Sequence, residues 1–446
     1  MFQKILIANR GEIAVRVIRA CRELGIKTVA VYSEADREAL HTQLADEAVC
    51  IGPAQASESY LNMERILSAT VATQAEAIHP GFGFLSENSK FVEMCQKCHV
   101  VFIGPSARLI YKMGNKSEAR KTMMEAGVPV IPGTKEPVLD VEQALEAAAE
   151  IGFPVMIKAS FGGGGKGMRI AETKETFAEQ FQMAQKEAMN AFGDDTMYIE
   201  RYVGQPRHIE VQILADKFGN VVQLGERDCS VQRRHQKLIE ESPSSAISQK
   251  QRKKIGETAI QAAKAVGYEN AGTIEFLLDQ TGEFFFMEMN TRIQVEHPVT
   301  EFVSGVDLIK EQIGIACGLP LSVRQEEIQL KGHAIECRIN AENPSKNFMP
   351  CPGTIENMHI PGGNGVRVDT AMYTGYSIPP NYDSMIMKVI VYDRDRVSAI
   401  AKMRSTLGEV IIDGVQTNID FQYDILNHKD FEEGNITTHF IRDHYE

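Results

Sequence analysis

The stretch FFFMEMNTRIQVEHPVTE, residues 284–301, organises the rest of the chain. Its apolar start, Phe284 to Met287, predicts a buried strand, where an unpaired carboxylate on Glu288 would be costly. Even-numbered positions from 288 to 296 are all polar, and in an extended chain their side chains share one face, with Pro298 helping to stop the strand. A solvated edge-strand face is the alternative. We favour a functional site because the polar set is rich in ligand and acid/base types.

Length and composition restrict the class of protein. A chain of 446 residues exceeds what one hydrophobic core usually supports, so we expect two or three domains. Hydrophobic residues at 43% and charged residues at 24% are ordinary for a soluble globular protein. The net charge of -13 argues against nucleic acid or an anionic membrane as the main partner.

Targeting segments and disulfides are not expected. No run approaches the roughly 20 apolar residues of a membrane span, and Met1 leads directly into the strand-like Lys4 to Ala8, leaving no room for a signal or transit peptide. We therefore expect a cytoplasmic protein with reduced cysteines. The close pair Cys95 and Cys98 suits one face of a helix better than a metal site.

The first hundred residues alternate short apolar strands with helices, which indicates a parallel sheet with covered faces. The predicted strands are Ile5 to Ala8, Thr28 to Tyr32, Ala77 to His79 and Val100 to Ile103. This domain should end near Gly104 and Pro105. The turn from Gly81 to Ser86 follows a strand, where open α/β sheets place ligands, but it lacks the third glycine of the dinucleotide fingerprint.

A glycine-rich segment, Ser160 to Met168, follows a predicted helical connection that carries Lys116. It is followed by a short strand rather than a helix, and no Ser or Thr follows Lys166, so neither a Rossmann loop nor a P-loop fits. A glycine-rich hairpin that closes over phosphates remains, because its backbone amides are accessible. A flexible linker is the alternative, although Lys158 and Lys166 flank the glycines.

Two later stretches also predict ligand contacts. The segment from His208 to Ile213 alternates strictly, with Ile209, Val211 and Ile213 on one face and polar side chains on the other. Residues Gln232 to Lys237 concentrate positive charge in an acidic chain. Such a run is usually solvated, but beside a phosphate lid we expect it to bind an anion.

A hairpin of Thr273 to Asp279 and Glu283 to Asn290 predicts a metal site. Its expected register makes Glu275 and Glu288 diagonal neighbours on one face. Two carboxylates about 5 Å apart repel by roughly 3 kcal/mol, enough to raise one pKa by about two units. A bridging divalent cation removes this penalty, and magnesium is the natural choice beside phosphates.

Taken together, these motifs resemble those of biotin carboxylases, members of the ATP-grasp superfamily. The resemblance covers essentially the whole chain. It runs through Ile7 to Ala14, His79 to Gly81, the glycine loop, Glu226 to Ser230, Gln232 to Lys237, Glu288 to Glu301 and Glu336 to Glu342.

The fold that this resemblance implies is α/β and α+β. It comprises an N-terminal doubly wound parallel-sheet domain (1–105), a helical linker (106–130), an ATP-grasp lid (131–203) and a larger C-terminal mixed α+β catalytic domain (204–446).

The resemblance also implies roles for individual residues. The implied ATP contacts are Lys116, Lys158, Gly163, Gly164, Gly165, Gly167, Glu200, Arg201, Val203, His208, Gln232, His235, Glu275 and Glu288. The implied metal ligands are Glu275, Glu288 and Asn290. The implied bicarbonate and biotin contacts are Lys237, Arg292, Gln294, Val295, Glu296, Arg338 and Phe82. Lys237, Arg292, Glu296 and Arg338 form the implied catalytic set, with Glu296 as the base and Arg338 stabilising the biotin enolate.

The implied reaction is phosphorylation of bicarbonate by MgATP to carboxyphosphate, followed by carboxylation of biotin. Two Mg²⁺ ions are implied, with Mn²⁺ as an alternative. No Ala-Met-Lys-Met sequence occurs, so the biotin is expected on a separate carrier protein, with a carboxyltransferase as further partner and a homodimer as the assembly. Acetyl-CoA carboxylase is the expected complex, and pyruvate or other acyl-CoA carboxylases are alternatives. Another ATP-grasp carboxylate ligase and a catalytically silent scaffold are more distant ones.

The chain departs from the family pattern at a few positions. Phe82 stands where Tyr is common beside the biotin site, and Asn364 lies near a position that is often aromatic at the dimer contact. Arg201 replaces the more usual Lys, and Phe161 interrupts the glycine run.

Overall fold

The computed structural model describes residues 1–160 and 167–446. Its N-terminal part contains a five-stranded parallel sheet with strand order β3-β2-β1-β4-β5. The strands are β1 (Lys4–Ile7), β2 (Lys27–Ser33), β3 (Glu47–Gly52), β4 (Ala77–His79) and β5 (Val101–Phe102), and the helices are α1 (Gly11–Glu23), α2 (Leu40–Leu44), α3 (Met63–Ala72) and α4 (Ser89–Lys97). The predicted parallel sheet is confirmed. Strand β3 was not predicted, because it lies at the sheet edge and only Ile51 in it is buried.

The next part of the chain is a helical connection followed by a small antiparallel sheet. It contains α5 (Ala107–Gly114), α6 (Lys116–Glu125), α7 (Val141–Ile151), β6 (Val155–Ala159), β7 (Met168–Ala171), α8 (Lys174–Phe192) and β8 (Met197–Arg201). Strand β6 lies between β7 and β8. Lys158 pairs with Met168, so β6 and β7 flank the glycine-rich segment on both sides. The predicted loop at Gly163, Gly164, Gly165 and Lys166 lies outside the described residues.

The largest sheet has eight strands in the order β13-β12-β9-β10-β11-β14-β19-β18, all antiparallel. The elements up to its fifth strand in sequence are β9 (Arg207–Ala215), β10 (Val221–Arg233), β11 (Gln236–Ser242), α9 (Gln249–Val266), β12 (Asn270–Leu278) and β13 (Phe284–Asn290). The remaining ones are α10 (His297–Ser304), α11 (Leu308–Ala316), β14 (His333–Asn340), β15 (Glu342–Asn343), β16 (Met349–Pro350), β17 (Asn357–His359), β18 (Val366–Thr370), β19 (Met385–Asp393), α12 (Arg396–Glu409), β20 (Ile411–Asp413), α13 (Ile419–Asn427), α14 (Lys429–Glu433) and α15 (Phe440–Tyr445).

The alternation along β9 explains how this sheet separates core from site. Ile209, Val211 and Ile213 are fully buried and pack with α9 residues such as Ala259 and Ala263. The intervening polar side chains therefore face the opposite side of the sheet. This part of the sequence prediction is confirmed.

The polar stretch after Glu288 is not one continuous strand, contrary to the prediction. Strand β13 ends at Asn290, residues 291–296 form an irregular segment with a turn at 295–296, and α10 begins at His297. The backbone amide of Thr291 donates to Glu87 of the N-terminal part at 3.0 Å, so it no longer needs a strand partner. Pro298 lies in the first turn of α10, where its missing N–H is tolerated.

Among the described helices, none is long and apolar enough to cross a lipid bilayer.

Candidate active site

A cavity of about 900 Å³ opens between the polar face of the large sheet and the small sheet of β6, β7 and β8. It collects most of the side chains that the sequence singled out. The predicted residues that line it are Lys116, Lys158, Glu200, Arg201, Val203, His208, Gln232, His235, Lys237, Glu275, Glu288, Asn290, Arg292, Gln294, Val295, Glu296 and Arg338.

The remaining predicted contacts are Phe82 and the glycines of the loop. Phe82 packs against the hydrophobic core under α1 and is not among the described lining residues, so its predicted biotin contact stays a prediction. Gly163, Gly164 and Gly165 lie outside the described residues. Gly167 has φ +68, and a Cβ there would lie 2.9 Å from the Cβ of Ala159, so the turn into β7 requires glycine.

Glu275 and Glu288 pair directly across β12 and β13 rather than diagonally. The physical reason is an irregularity in the ladder: Phe276 pairs with Phe286, so Met287 is an extra residue on β13. The predicted side-by-side carboxylates are therefore present in a different register.

The two carboxylates have very different surroundings. Glu275 accepts hydrogen bonds from the amides of Asn290 and Gln294, both at 2.8 Å, and His208 Nε2 lies 2.9 Å from it. Burial opposes its ionisation, but Lys237 and His208 outweigh burial and hold the pKa of Glu275 well below its usual range. Burial and the charge of Glu275 instead raise the pKa of Glu288.

This arrangement fits a divalent cation. No described residue donates a hydrogen bond to the Glu288 carboxylate or forms an ion pair with it, although this half-buried side chain lies beside another carboxylate. A cation with oxygen ligands would supply the missing counter-charge. Asn290 is less free to join, because its amide oxygen accepts a hydrogen bond from Arg292 at 3.2 Å.

Glu296 lies on the other side of Lys237 from Glu275 and is held by two cations. Its Oε1 is 2.5 Å from Lys237 Nζ, and its Oε2 accepts a hydrogen bond from Arg338 at 2.9 Å. Burial opposes ionisation of Glu296, but Lys237 and Arg338 outweigh it and hold the pKa well below the usual range. The group is therefore a carboxylate at neutral pH.

Lys237 connects Glu296 to the carboxylate pair of Glu275 and Glu288. Besides Glu296, its Nζ contacts Glu210 at 2.6 Å and Glu275 at 3.3 Å. Burial disfavours the ammonium, but these acidic neighbours keep the pKa of Lys237 well above its usual value. One charge therefore ties the proposed base to the carboxylate pair on β12 and β13.

Several supporting residues were missed by the sequence prediction of site residues. Arg227 is fully buried, donates to Glu210 at 2.5 Å and to Gln294 at 2.8 Å, and so fixes both side chains. Glu240 accepts a hydrogen bond from Arg338 Nε at 2.6 Å, and burial raises the pKa of Glu240 to about 7. The alternation of polar and apolar residues along these strands predicts which side chains face the site. It does not predict which of those polar side chains form hydrogen bonds with each other.

Glu87 is a further missed residue, contributed by the N-terminal part. Its Oε2 accepts a hydrogen bond from Arg292 Nε at 2.8 Å, while its Oε1 accepts the Thr291 amide. It follows the turn from Gly81 to Ser86 that the sequence marked as a ligand position. The turn before α4 in the N-terminal part therefore orients the guanidinium of Arg292 beside the cavity.

The opposite wall is formed by the helical connection and the small sheet. Glu200 on β8 pairs with Lys158 at 2.5 Å and with Arg120 at 3.1 Å. Burial opposes its ionisation, but Lys158 and Arg120 lower the pKa of Glu200 overall. Arg201 stacks over Phe285 at 4.8 Å and lies 3.4 Å from Asp279, so this wall contacts the β12 and β13 hairpin.

The C-terminal segment also lines the cavity, which the sequence reasoning missed. The lining residues there are Thr438, His439, Ile441, Arg442 and Glu446. No motif in this segment signals the contact, because it depends on α15 folding back against β10.

The site thus has two halves with different chemistry. One half offers a carboxylate pair suited to a metal, with lysines at the opposite wall. The other offers an ionised Glu296 between Lys237 and Arg338, which suits binding of a small anion and proton transfer.

Three family models match successive parts of the chain. Residues 1–110 match the family model "Biotin carboxylase, N-terminal domain", residues 115–324 match "Carbamoyl-phosphate synthase L chain, ATP binding domain", and residues 336–443 match "Biotin carboxylase C-terminal domain".

Similar full-length proteins carry the same family name. Biotin carboxylase 1 of Bacillus subtilis is 58% identical over 442 residues, which cover 99% of this chain and 98% of the relative. A biotin carboxylase from Campylobacter jejuni, solved in a beta-gamma-ATP complex, has a TM-score of 0.95 and 51% identity, covering 100% of this chain and 99% of that one.

A third relative is the biotin carboxylase domain of a 2-oxoglutarate carboxylase. This domain dimer from Hydrogenobacter thermophilus was solved with MgADP, ADP and bicarbonate, and it has a TM-score of 0.93 and 50% identity, covering 100% of this chain and 98% of that one. Matches to both end domains and to the ATP-binding domain between them, together with these relatives, show that the chain belongs to the biotin carboxylase family of ATP-dependent ligases.

Proposed function

We propose that the chain carboxylates biotin on a separate carrier protein, using ATP and bicarbonate, as the biotin carboxylase component of acetyl-CoA carboxylase. The observation that carries the proposal is the set of contacts around Lys237, which lies 2.5 Å from Glu296 and 3.3 Å from Glu275. A single ammonium beside both carboxylates suits a reaction in which a phosphoryl group passes to an anion held next to a base.

Bicarbonate binds in the half of the site that contains Glu296. Lys237, Arg292, Gln294 and the backbone at Val295 hold the anion, and Glu296 accepts its proton. In the structure, Lys237 donates a hydrogen bond directly to Glu296. Sharing the ammonium with a bound anion reduces its stabilisation of the Glu296 carboxylate, which raises the basicity of that group when substrate is present.

MgATP binds in the other half. Glu275 and Glu288, with Asn290, hold two Mg²⁺ ions or, alternatively, Mn²⁺. When bound, these ions neutralise charge on the phosphates during transfer. Lys116, Lys158 and the glycine loop of 163–167 contact the phosphates, and Glu200, Arg201, Val203, His208, Gln232 and His235 complete the nucleotide site.

Biotin binds next to Arg338. The guanidinium stabilises the enolate form of the ureido group while its nitrogen attacks the activated carboxyl group. Glu240 accepts a hydrogen bond from Nε and also pairs with Nη2, which in turn donates to Glu296. The two carboxylates therefore fix the orientation of the guanidinium. Phe82 approaches biotin from the N-terminal part.

This function assigns a task to each region of the chain. Residues 1–105 form the N-terminal domain, 106–130 link it to a lid of residues 131–203 that covers ATP, and 204–446 form the catalytic domain. The protein acts in the cytoplasm as a homodimer with a biotin carboxyl carrier protein and a carboxyltransferase. The dimeric relative from Hydrogenobacter supports the assembly.

The acyl acceptor distinguishes the proposal from its nearest alternatives. The relative from Hydrogenobacter thermophilus is a domain of a 2-oxoglutarate carboxylase. This origin favours a 2-oxo acid, such as pyruvate or 2-oxoglutarate, as the second candidate acceptor. The test is to purify the protein with its native partners and measure ATP-dependent transfer of ¹⁴C-bicarbonate to acetyl-CoA, propionyl-CoA, pyruvate and 2-oxoglutarate. Acid-stable label on acetyl-CoA alone is expected, and label on a 2-oxo acid would contradict the acetyl-CoA assignment.

A further inference from the structure

A buried lysine outside the predicted catalytic set contacts the loop that carries the proposed base. Lys388 on β19 is 0% exposed, and its ammonium donates a hydrogen bond to the backbone carbonyl of Val295 at 2.8 Å. Val295 directly precedes Glu296, the residue that caps the start of α10. Lys388 therefore holds the backbone at the point where the Glu296 side chain is aimed.

Lys388 acts beside Arg338. The two residues lie directly opposite each other on β19 and β14, so their side chains leave the same face of the sheet. Arg338 binds the carboxylate of Glu296 at 2.9 Å, and Lys388 binds the preceding carbonyl. Two adjacent cations thus hold consecutive residues of the loop, one through the side chain and one through the backbone.

The charge of Lys388 is balanced from other parts of the chain. Its Nζ lies 3.2 Å from Glu12 on α1 and 3.8 Å from Asp369 on β18. Glu336 and Arg367 also act on it electrostatically. The contact with Glu12 links the first helix of the N-terminal part to the catalytic loop.

We propose that Lys388 is a positioning residue for Glu296: by holding the Val295 carbonyl, it fixes the proposed base at the distance that proton transfer from bicarbonate requires. This inference rests on the proposed function of Glu296. Small displacements of a catalytic group slow chemistry strongly while leaving distant binding contacts intact. A purely charge-balancing lysine would instead affect stability and all ligands together.

The test uses a double variant, because Lys388→Met alone leaves Glu12 buried without its cation. Lys388→Met combined with Glu12→Gln removes the ammonium and its nearest carboxylate, while Asp369 keeps its ion pair with Arg367 at 2.7 Å. The double variant leaves the Val295 carbonyl without its donor. The expected result is a kcat for bicarbonate- and biotin-dependent ATP cleavage at least about tenfold below wild type, with nucleotide affinity within about twofold.

The matched control is Lys402→Met with Asp393→Asn. Lys402 also donates to a backbone carbonyl, that of Tyr392 at 2.8 Å, and pairs with Asp393 at 2.9 Å, but it contacts neither Val295 nor Glu296. Its kcat should stay within about twofold of wild type.

Three results would overturn the inference. These are a wild-type kcat in the Lys388 and Glu12 double variant, an equal loss of kcat and nucleotide affinity, or failure of that variant to fold while the control folds. Glu296→Gln separates this from failure of the proposed function. If Glu296→Gln is inactive while the double variant is fully active, only the role of Lys388 is wrong. If Glu296→Gln turns over normally, the assignment of the base itself is wrong.

Discussion

Glu275 and Glu288 lie directly opposite each other on β12 and β13, yet donors surround the Glu275 carboxylate, whereas no described residue donates a hydrogen bond to the Glu288 carboxylate or forms an ion pair with it. The two carboxylates therefore have different roles. Glu275 is held in place by the protein, whereas Glu288 keeps its oxygen atoms available for a ligand.

The asymmetry predicts opposite effects of two conservative variants on stability without metal. Glu275→Gln should lower the free energy of unfolding by about 1–3 kcal/mol, because it weakens or breaks contacts with His208, Lys237 and the amide donors. Glu288→Gln should raise it, because burial and Glu275 destabilise the Glu288 carboxylate. Urea unfolding in EDTA measures both. Equal destabilisation by the two variants would contradict the asymmetry.

The same variants should impair catalysis in parallel. Each removes a proposed metal ligand, so each should lower the kcat for ATP cleavage by more than about tenfold. Titration with Mg²⁺ should show a higher concentration for half-maximal activity. Glu283→Gln, on the exposed hairpin, serves as the control. Unchanged Mg²⁺ dependence in both ligand variants would refute the assigned metal site.

Arg338→Gln should separate the two half-reactions. The variant loses the guanidinium proposed to stabilise the biotin enolate, while Lys237 still contacts Glu296. Biotin carboxylation should fall by about 100-fold or more, with a smaller loss of the biotin-independent, bicarbonate-dependent ATP cleavage. Comparing ¹⁴C-carboxybiotin formation with ADP release measures this. Equal losses in both assays would argue against a selective role.

Glu241 should control part of the acid stability. It lies 2.9 Å from His333 Nε2 and 2.6 Å from Arg396 Nε. Burial opposes its ionisation, but these partners lower the pKa of Glu241 from 4.5 to about 2. Because the folded-state pKa is lowered, the resulting stability, about 3 kcal/mol, is present above pH 4.5 and is lost as pH falls toward about 2.

Glu241→Gln removes this titration. The stability difference between wild type and variant should therefore shrink as pH decreases from about 5 to about 2. Urea unfolding followed across this range gives the difference. A gap that stays constant with pH would show that the ion pairs of Glu241 do not contribute in this way.

Local patterns in the sequence were enough to predict elements with one dominant signal. The alternation of Ile209, Val211 and Ile213 predicted a strand with one core face, and the structure confirms it. The run of phenylalanines predicted β13. In both cases burial of apolar side chains fixes the local conformation.

Features that depend on distant residues could not be predicted. Strand β13 ends at Asn290 because Glu87, 204 residues before Thr291, accepts the Thr291 amide. The direct pairing of Glu275 with Glu288 depends on the extra residue at Met287, which hydrophobic alternation does not specify. Neither feature can be predicted from the residues that are adjacent in the sequence.

The same limit applies to the site. The resemblance assigned Lys237, Glu296 and Arg338, and the structure brings them together. The residues that contact them or the adjoining backbone, Arg227, Glu240 and Lys388, lie on strands at positions that no sequence motif marks. A fully buried cation such as Lys388 is recognisable only when its buried partners are known.

The most direct test of the central claim is bicarbonate-dependent ADP release by wild type and Glu296→Gln, measured with saturating MgATP and free biotin alongside equilibrium binding of ATP. The account predicts that the variant binds ATP within about twofold of wild type while its bicarbonate-dependent rate falls at least about 100-fold. A normal bicarbonate-dependent rate in Glu296→Gln would contradict the account, as would wild-type ATP cleavage that does not respond to bicarbonate or biotin.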